Sequence, residues 1–359
     1  MLLRSPSHSL PRATGDLAVA PSATPLARAW LAASIVATVG ALVGAALAAP
    51  PDGVRVGDGL MVLLFVGYAM HVASTGWLAG LDAVRSCARQ QPVRFVVVPV
   101  SLVALGAAVV PVLGAVALQL CLEVFFAWQL FHFTKQNVGI ATLASMSSGA
   151  GPLRAAERRC LLATGWCGVV AFLARPSLLD LRDVPASPLV FHVAMLGFAL
   201  AAGAGLLALA RRPARARPSG FLACAAVSMC FTTPMYVVGS PYGAIGGMTI
   251  AHGLQYLLLV GLIAVRRGEG TRRWSSVATL GVAALLGGLA LRATSHLSAS
   301  AGLSRVAFGV YLGLVGAHFV VDAGLWRLSN PGPRRFVVGA LPDLVGPGRA
   351  AVQVAATRS

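Results

Sequence analysis

The sequence predicts an all-α protein, a polytopic bundle of about ten transmembrane helices with both termini in the cytoplasm. Two observations predict this fold. Of the 359 residues, 57% are hydrophobic and only 11% are charged, whereas soluble domains carry about 25% charged residues. The apolar residues also form unbroken runs of about 20, the length that an α-helix needs to cross a bilayer. Because lipid cannot hydrogen-bond the backbone, such runs are expected to be helical and to have the lipid bilayer as their main partner.

Ten apolar runs have the length and composition of membrane spans. They cover residues 29–49, 59–80, 95–117, 120–146, 159–174, 188–210, 219–239, 243–265, 274–291 and 305–326. The third and fourth runs form one nearly continuous stretch, which we divide near Gln119 because the whole is too long for one crossing. Residues 239–243, between the seventh and eighth runs, contain Gly and Pro and predict a tight outer turn.

The runs divide the chain into a membrane domain and two tails. Residues 1–28 are polar and contain several Pro and Ser, so we expect a disordered cytoplasmic tail. Residues 29–326 form the predicted transmembrane domain, and residues 327–359 form a cytoplasmic C-terminal tail. We expect the first run to be an uncleaved anchor, because the run and its leader are longer than those of a signal peptide.

The distribution of arginine tests the orientation. With the N-terminus inside, the inner segments hold 22 arginines and the outer loops hold five. Cytoplasmic loops of membrane proteins carry an excess of Lys and Arg, so the split supports an even number of spans. The net charge of +17 then reflects topology, and nucleic acid is not an expected partner. Lysine is nearly absent while Ala and Gly are abundant, which is typical of a GC-rich bacterial genome and predicts a bacterial inner membrane.

Four histidines lie within predicted spans, from mid-bilayer towards the cytoplasmic side. They are His71, His132, His252 and His318, in the second, fourth, eighth and tenth spans. Ionisable side chains are costly in a bilayer and usually face the bundle interior or a functional cavity. Imidazole suits iron, zinc or copper, so the set predicts a metal site with nitrogen ligands only. Each histidine taken singly fits the commoner role of an interhelical hydrogen bonder.

Each of these histidines has a polar neighbour three or four residues later, on the same helix face. The pairs are His71 with Thr75, His132 with Gln136, His252 with Gln255 and Tyr256, and His318 with Asp322. A metal-bound histidine usually donates its second ring N–H to such a partner. We predict that four of these neighbours orient the ligands or contact a substrate: Gln136, Gln255, Tyr256 and Asp322.

Two more charged residues belong to the fourth span. Lys135 extends its polar face and either reaches the cytoplasmic surface or pairs with Asp322 or an anionic substrate group. For Asp322, in the tenth span, the alternative to a role beside His318 is that of counter-ion to Arg327. Glu123 lies nine residues before His132, about half a rotation around a straight helix, and is expected outside the cluster.

The order of the four histidines resembles that of the Brp/Blh-type bacterial beta-carotene-cleaving dioxygenases. Their gaps of 61, 120 and 66 residues follow a similar short–long–short rhythm, and His132-Phe133 and His318 with Asp322 match family motifs. Tyr256 stands where the family has a second histidine. The resemblance covers about residues 60–326. It implies a polytopic membrane protein whose histidines hold iron and whose substrate is a carotene.

These observations favour a membrane-bound metalloprotein, a non-haem iron (Fe2+) oxygenase acting on an apolar, carotenoid- or lipid-like small molecule from the bilayer. Four imidazoles would leave two open positions on octahedral iron. A second interpretation is a transporter or channel in which the same polar residues line a path and Lys135 with Asp322 forms a gate. A third is a haem-binding membrane protein with axial histidines. The oligomeric state is left open.

Overall fold

A computed structural model describes residues 23–50, 56–176, 187–297 and 301–345 of the chain. Within these residues the chain forms helices and no β-strand, as predicted. Eight of the described helices are long and apolar enough to cross a membrane. The all-α transmembrane bundle is therefore confirmed.

The described helices are numbered in chain order. They are α1 (Pro25–Ala48), α2 (Asp58–Ala79), α3 (Asp82–Gln90), α4 (Val93–Val112), α5 (Ala115–Ser147), α6 (Ala155–Ala174), α7 (Pro188–Ala210), α8 (Ser219–Met229), α9 (Pro234–Val237), α10 (Tyr242–Arg266), α11 (Gly270–Ser295), α12 (Leu303–Leu325), α13 (Pro331–Ala340) and α14 (Pro342–Val345). The eight of membrane length are α1, α2, α4, α5, α7, α10, α11 and α12. They correspond to eight of the ten predicted spans.

The fifth and seventh predicted spans take other forms. α6 has 20 residues, but its first turns carry Glu157 and two arginines, so its apolar part is shorter than a full crossing. The seventh span is interrupted: α8 ends at Met229, residues 230–233 form turns, and α9 begins at Pro234. Proline has no N–H to continue a helix and is well tolerated at a first helical position.

The boundary between the third and fourth spans lies earlier than predicted. α4 ends in a tight turn around Pro111, and α5 begins after Gly114, so Gln119 lies inside α5. A polar side chain within a membrane helix can find a hydrogen-bond partner, whereas a broken backbone in lipid exposes several unsatisfied groups. The chain therefore breaks at Pro and Gly rather than at the polar residue.

Glycines allow close helix crossings. α2 and α10 cross where Gly67 meets Ile250 and Gly253: a Cβ on Gly67 would lie 2.6 Å from Ile250 Cα, and one on Gly253 would overlap the Gly67 backbone. α4 and α12 meet in the same way, since a Cβ on Gly309 would lie 2.7 Å from the Gly106 carbonyl carbon. Small residues at such crossings are typical of membrane bundles.

Segments that the arginine count assigns to one side of the membrane contact each other. On the predicted inner side, Arg212 after α7 donates to Glu157 at the start of α6, with an Nε–Oε1 distance of 2.6 Å. On the predicted outer side, Arg305 at the start of α12 donates to the Leu113 carbonyl beyond α4 at 3.1 Å. The alternation of helix directions that the prediction requires is thus consistent with the packing.

The two predicted tails are described only in part. Residues 1–22 and 346–359 lie outside the described residues, which leaves the predicted disorder of the N-terminal tail untested there. α1 begins at Pro25, where the Thr24 hydroxyl accepts from Ala27 N–H at 3.2 Å. In the C-terminal tail, α13 and α14 pack Phe336 and Leu344 into the core, so residues 331–345 form an ordered part of the bundle.

Candidate metal centre

Helices α2, α5, α10 and α12 bring the four predicted histidines into one cluster. The ring centre of His71 lies 4.8 Å from that of His252 and 4.9 Å from that of His318. The ring of His132 lies 4.9 Å from His252 and 5.1 Å from His318. Each imidazole therefore has two others as neighbours, and all four side chains are buried.

The spacing of the rings fits a shared metal ion. With a metal–nitrogen distance of about 2.1 Å and a ring centre about 1.1 Å further out, two rings at right angles have centres about 4.5 Å apart. At a tetrahedral angle the separation is about 5.2 Å. The four measured separations, from 4.8 to 5.1 Å, fall between these values. The ligand atoms of His71, His252 and His318 also lie within 4.8 Å of one another.

The unpaired ring nitrogens of the cluster are chemically suited to bind a cation. Nε2 of His71, His132 and His318, and both ring nitrogens of His252, have no hydrogen-bond partner among the described residues. Buried polar atoms are nearly always paired. Several buried nitrogens that face one another without partners are well suited to bind a metal, since a ligating histidine offers the lone pair of a neutral ring nitrogen.

A chain of three hydrogen bonds fixes the tautomer of His318. Tyr256 donates its only hydroxyl proton to Asp322 Oδ1 at 2.8 Å, so its 3.0 Å bond to Thr75 must be donated by Thr75. The Thr75 proton is then used, so the 2.7 Å bond between Thr75 Oγ1 and His318 Nδ1 must be donated by the ring N–H. His318 therefore carries its proton on Nδ1 and presents the Nε2 lone pair to the cluster.

Asp322 lies between two of the histidines. Its Oδ2 is 3.8 Å from His318 Nε2 and 3.9 Å from His132 Nε2, too long for hydrogen bonds. The ligand atoms of these three residues all lie within 4.8 Å of one another, so the carboxylate joins the possible ligand set beside the predicted nitrogens. Arg327, its predicted alternative partner, instead donates to Ser329 Oγ at 3.1 Å.

The two glutamines form hydrogen bonds to groups around the cluster and not to its imidazole rings. Gln136 Nε2 donates to the His252 carbonyl at 2.9 Å and to Gln255 Oε1 at 3.0 Å. Gln255 Nε2 donates to Thr38 Oγ1 at 2.8 Å. The chain of amides ties α5, α10 and α1 together. Sequence reasoning missed Thr38, although a threonine four residues after Ser34 in an apolar span was a signal.

The structure does not bring Lys135 into the cluster. Its side chain is exposed, and its Nζ lies over the Phe131 ring, 5.9 Å from the ring centre. Of the alternatives raised by the sequence, this position fits the one in which Lys135 reaches the surface. Glu123 is buried but belongs to neither group of possible metal ligands, in line with its predicted position on another face of the helix.

Aromatic rings that the sequence pattern did not single out enclose the cluster. Phe319 stacks on His132 with ring centres 4.5 Å apart, and Phe133 packs on His252 at 4.3 Å. Trp128 continues the aromatic wall, 5.2 Å from Phe319. These rings cover one face each of His132 and His252 and give the surroundings of the cluster an apolar character.

Local helix geometry positions His71. Residues Phe65–Met70 form a widened π-helical turn that ends directly before His71, and such turns occur frequently at functional sites. The contact between Gly67 and Gly253 lies one helical turn before His71 and next to His252. The two glycines therefore set the distance between the helices that carry these two ligands.

Comparison with known proteins assigns no family to this chain. No protein-family model, no curated protein and no solved structure matches it. The resemblance to the Brp/Blh-type dioxygenases stays a prediction from the histidine pattern.

Proposed function

We propose that this chain is a membrane-embedded non-haem iron enzyme of the oxygenase class that acts on an apolar, carotenoid- or lipid-like substrate. The observation that carries the proposal is the cluster of four buried imidazoles, drawn from four helices, with unpaired nitrogens facing one another. A purely structural role would require these nitrogens to be paired with donors or acceptors.

The donor set supports iron without haem. His71, His132, His252 and His318 would hold the ion, and Asp322, which is grouped with His132 and His318, would add a carboxylate oxygen on their side. Imidazole and carboxylate ligands with open positions are typical of non-haem iron oxygenases. In a haem protein the porphyrin occupies the positions beside the axial ligands. In this cluster each imidazole has two further imidazoles beside it, an arrangement that favours a single ion over a porphyrin.

Bound iron would supply open coordination positions at which dioxygen can be activated. The chain's own residues have definable roles around it. Thr75 keeps the His318 proton on Nδ1, and Tyr256 holds a proton 2.8 Å from Asp322 Oδ1. Asp322 places a carboxyl group beside two ligands, with Oδ2 3.8 Å from His318 Nε2 and 3.9 Å from His132 Nε2. Phe319 and Phe133 each cover one imidazole face.

The surroundings of the cluster support an apolar substrate. Phe133, Phe319 and Trp128 pack on or near the ligands, while Lys135, the predicted partner for an anionic group, lies exposed outside the cluster. A long apolar molecule dissolved in the bilayer can reach such a site without crossing water. A cleavable polyene or an unsaturated lipid chain has the required chemistry.

Metal analysis tests the proposal first. We expect about one iron per chain in detergent-purified protein, without the Soret absorption of haem, and little iron in His71→Ala or His252→Ala protein. His192→Ala is the matched control, because His192 is exposed on α7 and should leave the iron content unchanged. Iron-loaded protein should then consume a carotenoid, measured by chromatography of the products. Protein without stoichiometric metal, and histidine variants that behave like the wild type, would disprove the assignment.

A second candidate function is transport of a small solute. The interruption of the seventh span between Met229 and Pro234 favours it, because broken helices form substrate and ion sites in transporters. Under this hypothesis the histidine cluster lines the path and binds no resident metal. Uptake into proteoliposomes, abolished by His132→Ala, together with metal-free purified protein, would favour transport over oxygenase chemistry.

A further inference from the structure

A second polar region lies beside the interrupted span and contains none of the histidines. It is a cavity of about 10 Å³ between α5, α6 and the end of α8, enough for one water-sized species. Five polar residues line it: Thr134, Asn137, Thr164, Ser228 and Thr232. Five polar side chains thus converge on one small space inside an apolar bundle.

The amide of Asn137 offers an unpaired acceptor to this cavity. Its Nδ2 donates to the Phe133 carbonyl at 2.9 Å, which fixes the orientation of the amide. Oδ1 is then the atom left for the cavity, and it has no hydrogen-bond partner among the described residues, although the residue is only 3% exposed. Burying a carbonyl oxygen without a donor is unfavourable.

The threonine hydroxyls add further acceptors and no donors. Thr134 donates to the Leu130 carbonyl at 3.0 Å, Thr164 donates to the Leu161 carbonyl at 3.0 Å, and Thr232 donates to the Thr164 carbonyl at 3.3 Å. Each hydroxyl has one proton, so only lone pairs remain for the cavity. Together with Asn137 Oδ1, four of the five polar side chains therefore present acceptors to the cavity, which favours an electropositive ligand.

Two glycines of α6 make room for this arrangement. A Cβ on Gly165 would lie 2.6 Å from Thr134 Cβ, and one on Gly168 would lie 2.7 Å from Thr232 Cγ2. Because both positions lack side chains, Thr134 of α5 and Thr232, in the turn after α8, can approach the α6 backbone. All five polar side chains that line the cavity are buried.

The end of α8 adds a favourable field for a cation. α8 ends at Met229, and Ser228, Phe231 and Thr232, on both sides of this end, line the cavity. The C-terminal end of a helix carries a partial negative charge. In membrane transporters, unwound carbonyls and half-helix C-terminal ends coordinate sodium.

We propose that this cavity binds one dehydrated Na⁺ ion through neutral oxygen ligands. Hard cations prefer oxygen, and a single ion is coordinated by several acceptors at once. A water molecule can donate to only two of them and would turn its own lone pairs towards the others. The ion joins the end of α8 and the turn after it to α5 and α6. The site is independent of the histidine cluster and of the iron chemistry proposed there.

Direct ion binding tests the proposal. Purified full-length protein in lipid nanodiscs should bind about one ²²Na⁺ per chain in a scintillation proximity assay. Unlabelled NaCl should displace it and choline chloride should not. Thr164→Val and Asn137→Leu remove acceptors and should weaken binding at least about tenfold. Thr142→Val is the matched control, because Thr142 on α5 makes the same type of bond, to the Val138 carbonyl at 2.7 Å, away from the cavity.

Two results would overturn the proposal. The first is no ²²Na⁺ binding above the choline background, which would mean that the cavity holds only a water molecule. The second is ²²Na⁺ binding that persists in both variants. Should the variants fail to fold, the wild type still decides. Its unfolding midpoint should rise by about 1–3 °C per tenfold increase in NaCl above the dissociation constant, relative to choline chloride at equal ionic strength. Equal midpoints in the two salts contradict a sodium site.

Discussion

Replacing Thr75 by valine removes one hydroxyl and keeps the shape of the side chain. The hydroxyl accepts from His318 Nδ1 at 2.7 Å and donates to Tyr256 at 3.0 Å, so the substitution cuts the connection between a proposed ligand and Asp322. The His318 proton is then free to move to Nε2, the nitrogen that faces the cluster. A protonated Nε2 cannot bind a metal.

The expected loss follows from the two bonds. Removing a partner that orients a metal-bound histidine typically lowers metal affinity 10–100-fold, which corresponds to about 1.4–2.7 kcal/mol. His318 Nδ1 and the Tyr256 oxygen, both buried, would also lose partners in the folded protein. We therefore expect iron affinity to fall by about this factor and stability without metal to fall by about 1–3 kcal/mol.

The assay is competition for iron with a chelator of known affinity, read by the absorption of the iron–chelator complex. Thr75→Ser should restore most of the affinity, because serine supplies the same hydroxyl. Ser74→Ala is the matched control: the Ser74 hydroxyl donates to the His71 carbonyl at 2.6 Å and is also buried, but it has no bond to a ring nitrogen. It should bind iron like the wild type.

Two outcomes would refute this role of Thr75. Thr75→Val protein with wild-type iron affinity would show that the hydrogen-bond chain does not set the His318 tautomer. An equal loss in Thr75→Val, Thr75→Ser and Ser74→Ala would reduce Thr75 to a general packing role. The comparison is made among purified variants whose unfolding midpoints equal that of the wild type.

Two further substitutions test the framework around the cluster. Gly253→Ala should lower stability by about 1–3 kcal/mol or more and reduce iron binding, because the added Cβ would overlap the Gly67 backbone. The control is Gly261→Ala on the same helix, where a Cβ meets open space, and it should change the thermal midpoint little. Arg212→Met should destabilise by about 3–5 kcal/mol in denaturant titrations, because it leaves Glu157 buried without its ion pair. A wild-type midpoint in either Gly253→Ala or Arg212→Met would contradict the respective contact.

Much of the fold was predictable because a bilayer imposes simple constraints. Run length and low charge predict helices without reference to neighbours, and the arginine count orders their directions. The interruption at residues 230–233 was missed because hydropathy averages over a window and a single proline, Pro234, changes it little. The division at Gln119 was misplaced because it was chosen from side-chain polarity. The helix instead ends where the backbone favours a break, and the new helix begins after Gly114.

The members of the candidate site were predictable, but their connections were not. Spacing along each helix paired Thr75 with His71 and Tyr256 with His252, whereas their side chains bond to residues of other helices. Thr75 bonds to His318 and Tyr256 bonds to Asp322. Helical spacing identifies the face on which a residue lies. The partner across that face depends on helix crossings, which in this bundle are set by glycine contacts that leave no periodic pattern.

One helix carries both proposed sites on opposite faces. Thr134 follows His132 by two residues and Asn137 follows it by five, which places both about 140–200° around α5 from the histidine. His132 faces the imidazole cluster while Thr134 and Asn137 line the cavity. Since the two faces contact different helices, iron and sodium should bind independently. Asn137→Leu should keep its iron, and His132→Ala should keep its ²²Na⁺ binding; loss of both ions in either variant would mean that α5 couples the sites.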